Sequence, residues 1–235
     1  PDKSKKFSPD AYAFCTPYHP AVQFVNETSY NEVFEFPIEN KRPSDDYKKQ
    51  MINELGLDPN KKHILNVGIW TSGKNQKEGI EIARTLEKTN PELHFHFLGN
   101  QAVNFKEYWE PIMSNLPSNV TVWGERSDVD KFMSASDLFM FNSTWECNPL
   151  VLREAISHGL KIIARNLPQY MNMFKDYIHN LTDSIVDNSK LLLDVLNSNT
   201  EYEIPENQAE KFALDFESFY KKINNNPIKK QQEMF

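Results

Sequence analysis

Residues 63–75, with the sequence HILNVGIWTSGKN, contain an apolar run followed by a loop with two glycines and a lysine. In the next segment, QKEGIEIARTLEKTN (76–90), Ile80, Ala83 and Leu86 recur at helical spacing. The pattern predicts a buried strand, a polar loop and an amphipathic helix in succession. Units of this kind build parallel sheets that helices cover on both faces.

Strand-like and helix-like segments continue to alternate along the chain. Four further apolar runs lie at residues 93–100, 119–125, 137–142 and 160–165, with helix-like segments between them at 103–115, 128–136 and 148–159. We therefore predict an α/β protein with a doubly wound, mainly parallel, Rossmann-like sheet. Outside it, residues 8–38 hold two short strand-like runs, and 205–224 form a helix whose phenylalanine stripe should be exposed unless residues 1–40 or another chain cover it.

Composition narrows the classes of protein to which this chain can belong. A net charge of −7 and a pI of about 5.4 disfavour a nucleic-acid partner. The sequence has no apolar run long enough to predict a transmembrane segment, and its first residues do not resemble a signal peptide. Cys15 and Cys147 lie far apart without metal-type spacing, which predicts reduced thiols and a cytoplasmic location.

The loop from Gly68 to Asn75 has a spacing close to that of a nucleotide-triphosphatase P-loop. A P-loop places Ser or Thr after its lysine to hold magnesium, whereas Asn75 follows Lys74 here. The apolar strand that should end in a metal-binding Asp instead begins with Asp137. These departures disfavour an NTPase, and two alternatives stay open for the loop: a phosphate site, or a polar turn with a solvated lysine.

The loop NSTWECNP (142–149) carries the second group of candidate residues. Glu146 lies at the predicted entrance of a helix, and Glu154 follows eight residues later. On a continuous helix two residues at this spacing project within about 80° of each other. A stabilising contact with the helix dipole would also explain Glu146, but Glu154 lies in an otherwise apolar helix segment and is harder to explain structurally.

Three segments together resemble a known family. STWECNPLVLREAISHGLKIIAR (143–165) resembles the Glu-x7-Glu signature of the retaining GT-B glycosyltransferases of group 1, the glycogen-synthase-like family 4. LNVGIWTSGKNQ (65–76) is similar to that family's first strand and diphosphate loop, and VTVWGERSDVDKFMSASDLFMFNS (120–143) to the segment between them. The resemblance covers about residues 60–170. Ile69 stands where the family usually has a second cation, Arg. The family's Gly is replaced around Asn148-Pro149, where Pro149 removes one backbone donor.

The resemblance implies a role for each candidate residue. Lys74 and Glu146 would be catalytic, Lys74 neutralising the departing nucleoside diphosphate and Glu146 contacting donor-sugar hydroxyls. Glu154 would bind the ribose, as a buried carboxylate, and the Trp123-Gly124 turn would border the base. The implied nucleotide-binding set is Gly68, Ser72, Gly73, Lys74, Asn75, Gly99, Trp123, Gly124, Asn148, Leu150, Val151 and Glu154. The family needs neither a metal nor a cofactor.

The resemblance also implies a division of the chain. Residues 46–204 would be the donor-binding domain, 1–45 the remnant of an acceptor domain with its linker, and 205–235 a crossover helix with a polar tail. The chain would transfer a hexose from a nucleoside-diphosphate sugar to an unknown acceptor, with an N-terminal acceptor domain or a partner chain completing the enzyme. The alternative is a non-catalytic sugar-nucleotide-binding or scaffold module.

Overall fold

The computed structural model describes residues 11–19, 21–25, 30–204 and 208–225. Its strands are β1 (Ala11–Phe14), β2 (Tyr30–Val33), β3 (Lys62–Val67), β4 (Leu93–Leu98), β5 (Val120–Gly124), β6 (Leu138–Phe141), β7 (Lys161–Arg165) and β8 (Ile178–Leu181). Its α-helices are α1 (Val22–Val25), α2 (Asp45–Glu54), α3 (Gln76–Leu86), α4 (Lys106–Met113), α5 (Val129–Ala135), α6 (Leu150–Ser157), α7 (Pro168–Phe174), α8 (Ile185–Asn197) and α9 (Gln208–Asn225). The chain divides into two compact units, one of residues 40–204 and one of the segments before and after.

In the larger unit, six parallel strands form one sheet in the order β5-β4-β3-β6-β7-β8. From β3, each following strand is added towards one edge of the sheet, in the order β3, β4 and β5. From β6, each following strand is added towards the other edge, in the order β6, β7 and β8. The chain therefore reverses its direction of travel between these two neighbours, and the loops after them diverge to leave a crevice at the carboxyl edge. The predicted doubly wound parallel sheet is confirmed, with the candidate loops on one edge.

Helices cover both faces of this sheet because its central strands are apolar on both faces. One face packs against α3, α4 and α8, around Ile64, Phe95 and Met140. Residues that alternate with these along the strands, such as Leu65 and Phe139, are also fully buried and point the other way. On that side α2 contacts α5, and α5 contacts α6.

The structure differs from the sequence-based boundaries in two places. The strand β8 and the helices α7 and α8 were not predicted, and β8 has only Ile178 and Leu181 buried among polar neighbours. The helix predicted over 148–159 is shorter, because α6 begins at Leu150 and ends before Gly159, whose φ of 72° suits only glycine without strain.

The smaller unit contains a parallel pair of short strands, β1 and β2, and the long helix α9. The phenylalanine stripe of α9 packs on Phe34, whose ring contacts Phe212, Phe216 and Phe219 at centroid distances of 6.4, 5.0 and 5.1 Å. The segment before residue 40 thus covers part of the stripe, leaving Phe219 only 3% exposed. None of the helices in the described ranges has the length and apolar character needed to cross a membrane.

Candidate functional site

The crevice at the carboxyl edge of the larger unit lies between the loops that follow β3 and β6. The two loops are joined directly, since the backbone N–H of Thr144 donates to the carbonyl of Gly73 at 2.8 Å. Lys74 follows Gly73, and Glu146 lies two residues beyond Thr144. This bond therefore places the two side chains predicted to be catalytic side by side.

Lys74 and Glu146 form an ion pair across the crevice. The Lys74 Nζ lies 2.5 Å from Glu146 Oε1, with side-chain exposures of 27% and 9%. Beneath them, Nζ also lies 5.6 Å from the centroid of the Phe141 ring. The charge of Glu146 also acts on Tyr170, which lies in α7. The pKa of Tyr170 is raised mainly by burial, and the charge of Glu146 makes a smaller contribution. The site thus offers a partly exposed cation, which suits phosphate, beside a shielded carboxylate, which suits sugar hydroxyls.

The glycine loops after β3, β4 and β5 are bonded to one another at the same edge. Gly68 donates to the Leu98 carbonyl at 2.9 Å, and Gly99 donates to the Gly124 carbonyl at 2.7 Å. Gly99 has a φ of 144°, and a Cβ on it would lie 1.9 Å from the Gly68 carbonyl oxygen. The space beside Gly99 is therefore filled by protein, so this glycine shapes the loop.

Glu154 differs from its predicted environment. It was expected to be a buried carboxylate, but α6 presents it as an exposed side chain because its position lies on the outer surface of the helix. It lines an open cavity of about 240 Å³ together with Ser127, Val129, Ser157 and His158. The structure thus places Glu154 beside the loop that follows the Trp123-Gly124 turn, but leaves its charge in contact with solvent.

Glu146 and Glu154 are also not related by helical spacing, as the sequence had predicted. Glu146 lies four residues before α6 starts, so helical spacing does not set its direction. Asn148 is likewise outside the helix, and its side-chain oxygen accepts from the buried Arg153 at 3.3 Å. Among the other predicted residues, Ser72 and Leu150 are exposed, while Gly73, Asn75 and Val151 are partly buried.

Trp123 is held by a chain of hydrogen bonds that the sequence did not predict. Its indole N–H donates to His96 Nδ1 at 3.1 Å, and His96 Nε2 lies 3.0 Å from His63 Nδ1. His63 Nε2 in turn lies 3.1 Å from the Asp58 carbonyl. Because an indole only donates, the neutral rings carry their protons on Nε2, and every bond in the chain is then satisfied.

Acid should lower the free energy of unfolding through His96. Burial, with smaller contributions from the neighbouring histidines, lowers the pKa of His96 from 6.5 to about 3. The folded state therefore stays neutral while the unfolded chain protonates, so this stabilisation is complete above pH 6.5 and is lost as the pH falls towards 3. At pH 5 the loss from His96 is about 2 kcal/mol.

Urea unfolding at pH 7 and pH 5 measures this loss as the difference between the parent and His96→Gln, which cannot titrate but still offers Trp123 an acceptor. The matched control is His179→Gln, on the partly exposed position of β8. A pH dependence that is the same in the parent and in His96→Gln would contradict the assignment of neutral rings.

A second network lies below the crevice, and sequence reasoning missed it. The buried carboxylate of Glu78 accepts hydrogen bonds from Asn142, Arg165, Asn188 and Asn75. Burial raises the pKa of Glu78, and the bonds from Asn142 and Arg165 act in the opposite direction. The available sequence signal was Glu78 itself, four residues before Ile82 on the inward face of α3.

Comparisons with known proteins identify the family of this chain. The model of the family "Glycosyl transferases group 1" matches residues 48–212. In sequence, the chain is 32% identical over 116 residues to the UDP-Gal:alpha-D-GlcNAc-diphosphoundecaprenol alpha-1,3-galactosyltransferase of Escherichia coli, covering 48% of this chain and 30% of that protein.

Solved structures show the same fold at lower identity. The sucrose-phosphate synthase of Thermosynechococcus elongatus superimposes with a TM-score of 0.69 at 19% identity, covering 92% of this chain and 59% of that one. Anabaena HepE in complex with UDP-glucose gives a TM-score of 0.64 at 16% identity, covering 80% and 54%. The chain thus spans 30% of its curated relative and little more than half of these structures, and by the match over residues 48–212 it belongs to the group 1 glycosyl transferases.

Proposed function

We propose that this chain is the donor-binding part of a retaining, metal-independent hexosyltransferase. The observation that carries the proposal is the Lys74–Glu146 pair at the switch point of the sheet. In open α/β sheets this crevice is where ligands bind. The acceptor is unknown, and an N-terminal domain or a partner chain would bring it to the crevice. We place the enzyme in the cytoplasm, where Cys15 and Cys147 would remain reduced thiols.

Each side chain of the pair has a separate task in this proposal. Lys74 binds the diphosphate and balances the negative charge that grows on it as the bond to the sugar breaks. Glu146 accepts hydrogen bonds from sugar hydroxyls, for which its low exposure is suited. Glu154 binds the ribose from the outer side of α6, and the ligand itself would exclude water from that carboxylate.

The names of similar proteins support a nucleoside-diphosphate hexose as donor. The Escherichia coli relative is named for UDP-Gal, and the Anabaena structure is described as a complex with UDP-glucose. UDP, uridine and the two UDP-hexoses are therefore the first probes for this chain. No cofactor beyond the donor is proposed.

Calorimetric titration with these probes tests the proposal. The parent should bind UDP-glucose or UDP-galactose equally well with and without EDTA, because a lysine takes the place of a metal ion. Glu146→Ala should weaken the UDP-hexose and leave UDP nearly unchanged. Glu154→Ala should weaken uridine, UDP and the UDP-hexose alike, by about 10-fold or more if the carboxylate accepts from the ribose.

Two outcomes would redirect the proposal. A strict requirement for magnesium would contradict metal independence and favour phosphate chemistry of another kind. Binding with the expected pattern, but without transfer when the matching acceptor domain is supplied, would favour the non-catalytic sugar-nucleotide module.

A further inference from the structure

We propose that Glu78 is a positioning residue that holds the two walls of the Lys74–Glu146 crevice at their working separation. The inference rests on the proposed function for its consequences in ligand binding. Its structural basis is separate, and lies in the contacts made by one carboxylate beneath the crevice. Glu78 does not touch the Lys74–Glu146 pair and acts through its neighbours.

Glu78 joins four parts of the fold at one point. Its Oε2 accepts from Asn142 Nδ2 at 2.9 Å and from Asn75 Nδ2 at 3.3 Å. Its Oε1 accepts from the Arg165 guanidinium at 2.5 Å and from Asn188 Nδ2 at 3.3 Å. The side chain is only 7% exposed, and both oxygens are used twice. A buried carboxylate with this many donors makes a rigid joint.

Two of the four donors belong to the loops that carry Lys74 and Glu146. Asn75 follows Lys74 and is the residue before α3, with a left-handed φ of 52°. Asn142 follows β6 and is the first residue of the loop that carries Glu146. Glu78 therefore bonds to the base of each wall, while the Thr144–Gly73 bond joins the walls above it.

The direction of the hydrogen bonds makes the carboxylate hard to replace. Asn66 Nδ2 donates to the Met140 carbonyl and to Asn142 Oδ1, which fixes the orientation of the Asn142 amide. Asn142 can then only donate towards Glu78. Glutamine at position 78 would direct its own N–H groups at either the asparagines or Arg165. The isosteric change Glu78→Gln thus makes one donor face another without altering the volume of the side chain.

Close packing keeps the network in place. The residue after Glu78 is Gly79, where a Cβ would lie 2.7 Å from Met140 Cε and 3.2 Å from Asn142 Oδ1. The helix α3 therefore lies so close to the end of β6 that a side chain at position 79 would displace the side chains of Met140 and Asn142. The walls have little freedom to adjust if the bonds of Glu78 are lost.

Hydrogen exchange tests the joint without any ligand. In Glu78→Gln, the Thr144 amide should exchange about tenfold faster or more than in the parent, because the walls separate more often. The Phe95 amide, which donates to Asn119 inside the sheet edge, should be nearly unchanged. Glu81→Gln is the matched control, since it makes the same substitution on α3 where the carboxylate only pairs with Arg84 at the surface.

Binding measurements test what the joint does. UDP and uridine differ by the diphosphate, so a misplaced Lys74 should reduce the preference for UDP, by about fivefold or more, while uridine affinity stays. The same reduction should vanish in a Lys74→Ala background if Glu78 acts through Lys74. General destabilisation would instead lower both affinities together, and would do so in either background.

Exchanging the amide and the carboxylate between positions 142 and 78 should restore the hydrogen bond between these side chains. Asn142→Asp alone places two carboxylates together and should speed Thr144 exchange. Combined with Glu78→Gln it restores a donor facing an acceptor, so the double variant should exchange more slowly than either single one. If Glu78→Gln does not accumulate as folded protein, Asn142→Ala replaces it, because it removes the bond from Asn142 to Oε2 and leaves the Arg165 pair.

The outcomes separate this inference from the proposed function. Thr144 exchange in Glu78→Gln that matches Glu81→Gln would overturn the positioning role, whatever the ligand. The positioning role would also be overturned if Glu78→Gln reduced the preference for UDP over uridine equally in the parent and in the Lys74→Ala background. If Lys74→Ala itself leaves UDP binding unchanged, the proposed function fails, and the exchange experiment still decides whether Glu78 sets the geometry of the walls.

Discussion

Lys74→Ala should weaken UDP binding by about 10- to 150-fold, the equivalent of 1.5–3 kcal/mol for one charge-assisted hydrogen bond. The ammonium group is the only part of the side chain that a diphosphate would use, and the Lys74 side chain is partly exposed to solvent. Uridine has no phosphate, so its affinity should change little. The effect on turnover should be larger still, because negative charge increases on the diphosphate as the sugar leaves.

Lys77→Ala is the matched control for this experiment. Lys77 is the exposed second residue of α3, three positions after Lys74, and the substitution removes the same charge from the same end of the helix. Calorimetry of both variants with UDP and uridine separates a specific contact from a general change in surface potential. Equal losses for the two ligands, or a UDP loss no greater than in Lys77→Ala, would remove Lys74 from the site.

Gly99→Ala should destabilise the larger unit by about 4 kcal/mol or more, a size reserved for severe steric conflict. The new Cβ would meet the Gly68 carbonyl oxygen at 1.9 Å, and the residue would also have to keep a φ of 144°. Neither group can move alone, since Gly68 and Gly99 each donate a ladder-type bond to a neighbouring strand end. The loop that carries Lys74 would have to shift.

Two other glycines of the same edge give a graded comparison. At Gly73 a Cβ would be no nearer than 3.8 Å to a neighbouring atom, so Gly73→Ala should cost less than about 1 kcal/mol. At Gly124 the space is open but φ is 70°, so Gly124→Ala should cost about 1–2 kcal/mol from backbone strain alone. Urea unfolding followed by tryptophan fluorescence ranks the three. A loss in Gly99→Ala as small as that in Gly73→Ala would show that the loops do not meet as described.

The sequence predicted the sheet because the apolar runs are short, regularly spaced and separated by amphipathic segments. It missed β8 because this edge strand has only four residues, of which the first and last, Ile178 and Leu181, are buried, and the two residues between them are polar. It extended α6 by two residues at its start, because spacing cannot distinguish a helix from the loop that enters it. Glu146 was consequently assigned a helical direction that the structure does not support.

By itself, the sequence determined the α/β class, the order of strands and helices from β3 to β7, the glycine loops and the charged residues beside them. These properties depend on neighbours within about 15 residues, where periodicity and turn chemistry operate. Only the tertiary structure decided which loops meet. Lys74 and Glu146 are 72 positions apart, and Glu78 and Asn188 are 110 apart. Lys74 and Glu146 come together because β3 and β6 are neighbours in the sheet. Glu78 and Asn188 come together because α3 packs against α8. Both arrangements are set by the packing of the whole unit.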